Sequence, residues 1–280
     1  MDVSTRIPRE LKAVVFDWAG TMVDFGSRAP MMALCQLFDQ HGVPITETEA
    51  RKDMGLAKRD HIAGLLAQPR IAAAWHASTG ERANQNTPSM LVEAMGPSLK
   101  QAALEASELV RGGADLADDL RTAGVKIGSC TGYSRAIIER VVRRAAEQGY
   151  CPDCLVCAGE TAEGRPSPLM AWANLVQLGA WPANACIKVD DTTVGIAEGR
   201  NAGMWTVGVA ASGSEVGLSV DELAILPRQE RTARVRAAAD RLRAAGADLV
   251  IDTVADLAGA LNMLPIGTDP SGFRSASASA

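Results

Sequence analysis

The sequence predicts an α/β protein, a doubly wound parallel-sheet core carrying an inserted α-helical cap. Three observations predict it. An apolar run, KAVVFD (12–17), ends abruptly in an acid near the amino terminus. A long stretch of helical periodicity follows, from about Pro30 to Val110. Beyond Gly113, short apolar runs alternate with amphipathic ones, the rhythm of strands and helices in an open parallel sheet.

KAVVFD followed by Ala19-Gly20-Thr21 reads as a buried parallel strand delivering a loop at its carboxyl end. In the helical stretch, Pro30 suits a helix start and Gly42 a stop. Thr46 with Glu49 resembles a capping box opening the next helix. Two or three more helices are expected, with polar breaks near Ser78–Gly80 and Gly96–Ser98. The later strands are VKIGSC, CLVCA, CIKVD, WTVGVA and LVI, each set off by a helical segment. The division expected is a core of residues 1–26 and 111–264, a cap of residues 27–110, and a disordered tail, 265–280, of small and polar residues.

The chain has 280 residues, a net charge of −5 and a pI near 5.3. That balance argues against nucleic acid as partner, since no basic excess is present to displace counterions. No apolar run approaches the roughly 20 residues of a membrane span, and MDVSTRIPRE lacks the apolar segment of a signal peptide. A cytoplasmic protein with free thiols at its six cysteines is expected. Three of these form CPDCLVC (151–157), but a structural zinc site wants four ligands and no fourth is evident, so they read as loop or buried thiols. The arginine-rich helix RTARVRAAADRLRAAG reads as a solvated face rather than a binding stripe.

Ligands of open α/β sheets bind beyond the strands' carboxyl ends. Those ends carry Asp17, then Ser129-Cys130-Thr131-Gly132, then Gly164-Arg165-Pro166, then Asp190-Asp191-Thr192. A carboxylate can attack phosphorus, and a second can share Mg²⁺, which takes oxygen ligands. The hydroxyl and N–H groups around Thr131 and Gly132 can hold phosphoryl oxygens, and Arg165 can offset the growing charge. Each residue alone is as readily a helix cap; together on one rim they suit phosphoryl chemistry.

DWAGTMVD (17–24), CTGY (130–133), GRPSP (164–168) and VDDT (189–192) resemble, in order and placement, the haloacid-dehalogenase superfamily. The implied core is therefore Rossmann-like. Most members open with DxDGT, but here the third place is Ala19. The acid normally there protonates a leaving alkoxide, so either the protein is catalytically crippled or its leaving group needs no proton from that place; carbon released as an enamine fits the second case. An enamine requires an amine. With MGLAKRDHI, TGYSR and EGRNAGMWTVGV added, the sequence resembles phosphonoacetaldehyde hydrolases from Lys12 to about Leu261.

That resemblance implies hydrolytic cleavage of a C–P bond in a small phosphonate, giving acetaldehyde and phosphate. It implies Asp17 as nucleophile, Lys58 as Schiff-base lysine, and Mg²⁺ held by Asp17, the Ala19 carbonyl and Asp191. Thr131, with Gly132, and Arg165 match phosphate-handling positions; Met54 and His61 match the lysine's pocket, His61 with a role in proton transfer; and Tyr133 follows Thr131. A homodimer is also implied. If residues 54–61 are helical, Met54, Lys58 and His61 share one face. Spacing does not divide the labour of Asp190 and Asp191, though the resemblance favours Asp191 at the metal. Where many members carry a further acid, this chain has Gly195, and Asp190 is the replacement nearest to hand. Ser27, near the hinge, is a further candidate for substrate contact. The alternatives are a phosphatase or phosphomutase acting on a phosphate ester, a metal-independent dehalogenase, and a binding protein without turnover.

Overall fold

The computed structural model describes residues 7–277. Strand β1 (Ala13–Phe16) is buried along its whole length, as AVVF requires. Five helices of the insert come first after it: α1 (Arg28–Gln40), α2 (Glu47–Arg51), α3 (Lys58–Leu66), α4 (Pro69–Thr79) and α5 (Thr87–Glu105). The remainder alternates: α6 (Gly113–Thr122), β2 (Lys126–Thr131), α7 (Arg135–Glu147), β3 (Cys154–Cys157), α8 (Leu169–Leu178), β4 (Cys186–Asp190), α9 (Thr193–Asn201) and β5 (Trp205–Val209). Then come α10 (Val220–Ile225), α11 (Arg228–Ala244), β6 (Leu249–Ile251), α12 (Leu257–Ala260) and α13 (Pro270–Ser277).

The six strands form one parallel sheet in the order β3-β2-β1-β4-β5-β6. The chain winds outward from β1 in one direction, then returns and winds outward in the other. This makes a switch point between β1 and β4, where the connections diverge and leave a crevice. Register fixes what stands there: Phe16 lies beside Ser129 on one side and Val189 on the other. Asp17 therefore emerges between Cys130 and Asp190.

The capping box of α2 is present, with the Thr46 side chain accepting from Glu49 N–H and Glu49 Oε2 accepting from Thr46 N–H. α4 ends at Gly80, in the left-handed region at φ 77°. The break expected near 96–98 is absent, and α5 runs through Pro97. Leu91, Met95, Leu99 and Ala103 are buried at helical spacing, and that apolar stripe holds the helix together across the missing N–H. The tail expected to be disordered carries α13 instead. Phe273 stacks edge-on against Trp205 at 5.3 Å, and Arg274 makes a two-pronged bond to Asp248 at 2.8 Å. Residues 278–280 of that tail lie outside the described residues. The arginines of α11 form exposed ion pairs, such as Arg234 with Glu230 and Arg241 with Glu215, consistent with a solvated face. Among the described residues, no helix is long and apolar enough to cross a membrane.

Candidate active site

The carboxyl ends of β1 and β4 bring Asp17, Asp190 and Asp191 together, with one oxygen from each lying within 4.8 Å of the others. All three are buried. Asp17 is tied to the sheet by its N–H, which donates to Val189 O at 2.9 Å. Its Oδ1 accepts from Arg165 Nη2 at 2.8 Å. Asp190 spends both oxygens on the protein. Oδ1 accepts from the N–H and hydroxyl of Thr192, and Oδ2 from Lys188 Nζ at 2.7 Å with Arg165 3.3 Å away. Asp191 is held more lightly, by Thr21 Oγ1 at 3.2 Å and by Ser214 N–H at 2.8 Å.

Titration follows these surroundings. Burial and the neighbouring Asp190 push the Asp17 carboxyl above the usual carboxylate range. Burial, Asp17 and Asp190 push Asp191 well above it. Asp190 goes the other way, because Arg165 and Lys188 outweigh its burial. Asp191 thus lacks the cation partner that Asp190 has, and Asp17 has only a share of Arg165.

Two residues not singled out from the sequence complete the network. Lys188 sits inside β4, fully buried, and Glu198 reaches it from α9. Glu198 Oε2 accepts from Arg165 Nε at 2.9 Å and lies 3.4 Å from Lys188 Nζ, while Oε1 has no partner. Gly199 allows the approach, since a β-carbon there would lie 2.6 Å from Lys188 Cβ. The signal was a lysine in the middle of CIKVD, since a buried cation must be paired. Four buried carboxylates (Asp17, Asp190, Asp191, Glu198) face two buried cations in direct contact (Arg165, Lys188) and a third, Lys58, across the cavity, so negative charge is in excess. All-oxygen donors with that excess suit a divalent cation. Asp17 and Asp191, each with capacity left over, are the residues that would hold it.

Above this cluster lies a cavity lined by Asp17, Ala19, Ser27, Met54, Lys58, Thr131, Gly132, Tyr133 and Arg165. Its volume of about 30 Å³ has room for about two waters. The helical insert closes it. A β-carbon on Gly55 (φ 93°) would lie 2.6 Å from Thr192 Oγ1, and one on Gly132 would lie 3.0 Å from the carbonyls of Gly55 and Leu56.

Residues 54–61 are not one helix. Asp53 (φ 62°) and Gly55 (φ 93°) turn the chain, and α3 begins only at Lys58. Met54 therefore reaches the cavity from a loop, not from the face that spacing suggested. Lys58 is 7% exposed, with Nζ 5.5 Å from the centre of the Tyr133 ring. Burial lowers its pKa to about 8, with Arg165 adding to the effect and Asp17 opposing it.

His61 lies one turn further along α3, wholly buried and outside the cavity wall. Neither ring nitrogen makes a well-formed hydrogen bond. Burial and Lys58 lower its pKa to about 3 against weak support from the backbone at Ala50 and Lys52, so the ring is neutral. Asp191 lies beside Asp17 but is not part of the cavity wall, and Thr131 Oγ1 accepts from Tyr133 N–H at 3.1 Å. All six cysteines are free; Cys151 is exposed while Cys154 and Cys157 are buried.

A parallel sheet with an aspartate at the switch point, a second acidic strand end and an inserted helical layer defines a class of phosphoryl-handling hydrolases. The sequence model of haloacid dehalogenase-like hydrolases matches residues 11–203. A phosphonoacetaldehyde hydrolase of Paraburkholderia xenovorans is 49% identical over 89% of this chain and 93% of its own length. One from Hahella chejuensis is 42% identical over 91% and 86%. The crystal structure of a phosphonoacetaldehyde hydrolase-like protein from Oleispira antarctica superposes with a TM-score of 0.90 at 40% identity, covering 93% of this chain and 96% of that one. The chain belongs to the haloacid dehalogenase-like hydrolases and, within them, to the phosphonoacetaldehyde hydrolase family.

Proposed function

We propose that this protein hydrolyses the C–P bond of phosphonoacetaldehyde, giving acetaldehyde and phosphate. The observation that carries the reading is the buried Lys58 in the wall of the same cavity as Asp17, on a frame where Ala19 replaces the acid that phosphate-ester chemistry needs. A phosphatase needs that acid and has no use for a buried amine.

Lys58, partly neutral near pH 7, adds to the aldehyde carbon, and loss of water leaves a protonated imine. Asp17 attacks phosphorus in line. The C–P bond breaks, its electron pair moves onto carbon, and the imine becomes an enamine on Lys58. The leaving carbon is thereby stabilised without a proton donor at position 19. Protonation at carbon and hydrolysis of the imine release acetaldehyde. A second water cleaves the acyl phosphate on Asp17 and releases phosphate. Arg165, locked by Asp17, Asp190 and Glu198, offers its charge to the phosphoryl oxygens, with Thr131 and the N–H groups around Gly132 beside it. His61, the candidate for proton transfer, packs behind Lys58 as a neutral ring whose lowered pKa and unpartnered nitrogens suit it poorly to that role.

The metal proposed is Mg²⁺, which Asp17, Asp191 and the Ala19 carbonyl would hold. When bound, it offsets phosphoryl charge and lets the Asp17 carboxylate approach an anion. Residues 27–110 act as a cap over a core of residues 1–26 and 111–264. The likeness to the family supports a cytoplasmic homodimer, which sedimentation checks for assembly.

The test is acetaldehyde release from phosphonoacetaldehyde, with and without Mg²⁺, read through coupled alcohol dehydrogenase. Mg²⁺-dependent acetaldehyde is expected. Folded, metal-loaded protein that releases none would remove the proposal.

A further inference from the structure

Arg51, the last residue of α2, takes no part in the reaction above, yet it is among the most heavily engaged side chains between the insert and the sheet domain. Its Nη1 donates to Gly26 O at 3.0 Å, with Ser27 O at 3.4 Å and Ser214 O at 3.3 Å. Its Nη2 donates to Gly217 O at 2.8 Å. Gly26 and Ser27 belong to the strand-to-insert crossing. Ser214 and Gly217 belong to the loop after β5, where Ser214 also donates its N–H to Asp191. One planar cation therefore bridges the crossing, the insert and the loop that supports the acidic cluster. Guanidinium geometry suits this, because its donors are fixed in a plane and aim at several acceptors at once.

The glycines around it fit the same purpose. Gly217 has φ 69°, and a β-carbon there would lie 2.6 Å from Arg51 Cζ. Four residues beyond Arg51, Gly55 presses on Thr192, and Lys58 follows. The 52–57 segment has few fixed points of its own, since its positive-φ turns at Asp53 and Gly55 interrupt regular structure. Beside it lies a cleft of about 570 Å³ that Arg51 itself lines. If Arg51 lets go, that cleft gives the segment room to move.

We infer that Arg51 is a positioning residue that fastens the 52–58 segment to the core and thereby sets Lys58 against Asp17. The inference deepens the function proposed above and rests on it for its kinetic consequences. Its structural consequence stands independently. A reactive amine displaced by about 1 Å from its partner loses on the order of a hundredfold in rate. A loosened segment also hydrates Lys58. The groups facing that amine are Asp17 at the end of β1, Arg165 from the segment before α8, the Tyr133 ring from the loop after β2, and His61 on its own helix. Asp17, Arg165 and Tyr133 stand on the core and do not move with Arg51, and the His61 ring is neutral, so a change in the amine's titration reports its exposure.

Two variants test this from opposite sides. Arg51→Lys keeps the charge but not the fork, and Gly217→Ala displaces the guanidinium from the core side. Three quantities are read for each: thermal unfolding, backbone hydrogen exchange of residues 52–58 and 214–217, and the pH dependence of kcat/KM. The expected result is near-wild-type unfolding, faster exchange in both segments and kcat/KM lowered by about a hundredfold. The ascending pH limb is also expected to move from about 8 towards the free-lysine value of 10.5. Unchanged exchange with an unmoved limb overturns the inference. So does global unfolding of both variants, which would make Arg51 a structural residue only. If wild-type protein releases no acetaldehyde, the proposed function fails, and the exchange measurement still decides whether Arg51 fastens the segment.

Discussion

A β-carbon on Gly195 would fall on the carboxylate of Asp190, because that carboxylate occupies the space into which a side chain in the first turn of α9 would project. The pair is reciprocal: the acid stands on the strand end, and the helix leaves room for it. Gly195→Ala therefore forces Asp190 off Lys188, Arg165 and Thr192. Overpacking of this kind costs roughly 1–3 kcal/mol. Urea unfolding should show a loss of at least that size, together with loss of activity.

Lys58→Arg keeps a cation over the Tyr133 ring but cannot form an imine. C–P cleavage should fall to background while the protein folds normally. Borohydride with phosphonoacetaldehyde should inactivate the wild type, with reductive labelling at Lys58 by mass spectrometry, and leave the variant unlabelled. Turnover near wild type in Lys58→Arg would refute the imine.

The pH dependence follows from the Lys58 shift. Burial lowers its pKa from 10.5 to about 8, so protons leave as pH rises through 8 and the nucleophilic free amine increases. At pH 7 about a tenth of the amine is neutral, against well under a thousandth for an unshifted lysine. kcat/KM should climb with pH below about 8 and level off above it. A flat profile from pH 6 to 9 would contradict this.

Lys188→Met removes a buried cation from Asp190 and Glu198, leaving both carboxylates to share Arg165 with Asp17. Breaking a buried pair from one side costs about 3–5 kcal/mol. Chemical denaturation should show that loss, and adding Glu198→Gln should recover part of it. Additive losses in the double variant would mean that the two residues are not coupled.

Metal binding should stabilise the fold, since Asp17 and Asp191 repel each other without it. Mg²⁺ should raise the melting temperature of chelator-treated protein. Asp191→Asn should abolish that response while leaving the metal-free protein at least as stable as wild type. A wild-type response persisting in Asp191→Asn would move the site elsewhere.

The local chemistry of this protein was written in its sequence. KAVVFD, CIKVD and the strands between them are apolar runs that burial alone explains, and the alternation of strand and helix was enough to put Asp17, Thr131 and Asp191 at one rim of the sheet. The Thr46–Glu49 capping box was legible because it is satisfied within four residues. What depends on partners far along the chain was not legible. Pro97 reads as a helix break, yet the stripe from Leu91 to Ala103 gains enough by burial to carry α5 through it. Met54 and Lys58 have helical spacing, but the close approach of Gly55 to Thr192 holds that segment as a loop, so the two meet by tertiary contact and not by periodicity. Asp190 and Asp191 are adjacent and chemically identical in the sequence. Strand alternation puts Lys188 on the face of Asp190, but only the fold adds Arg165 and leaves Asp191 in need of a cation, because charge is decided by what lies within a few ångströms in space.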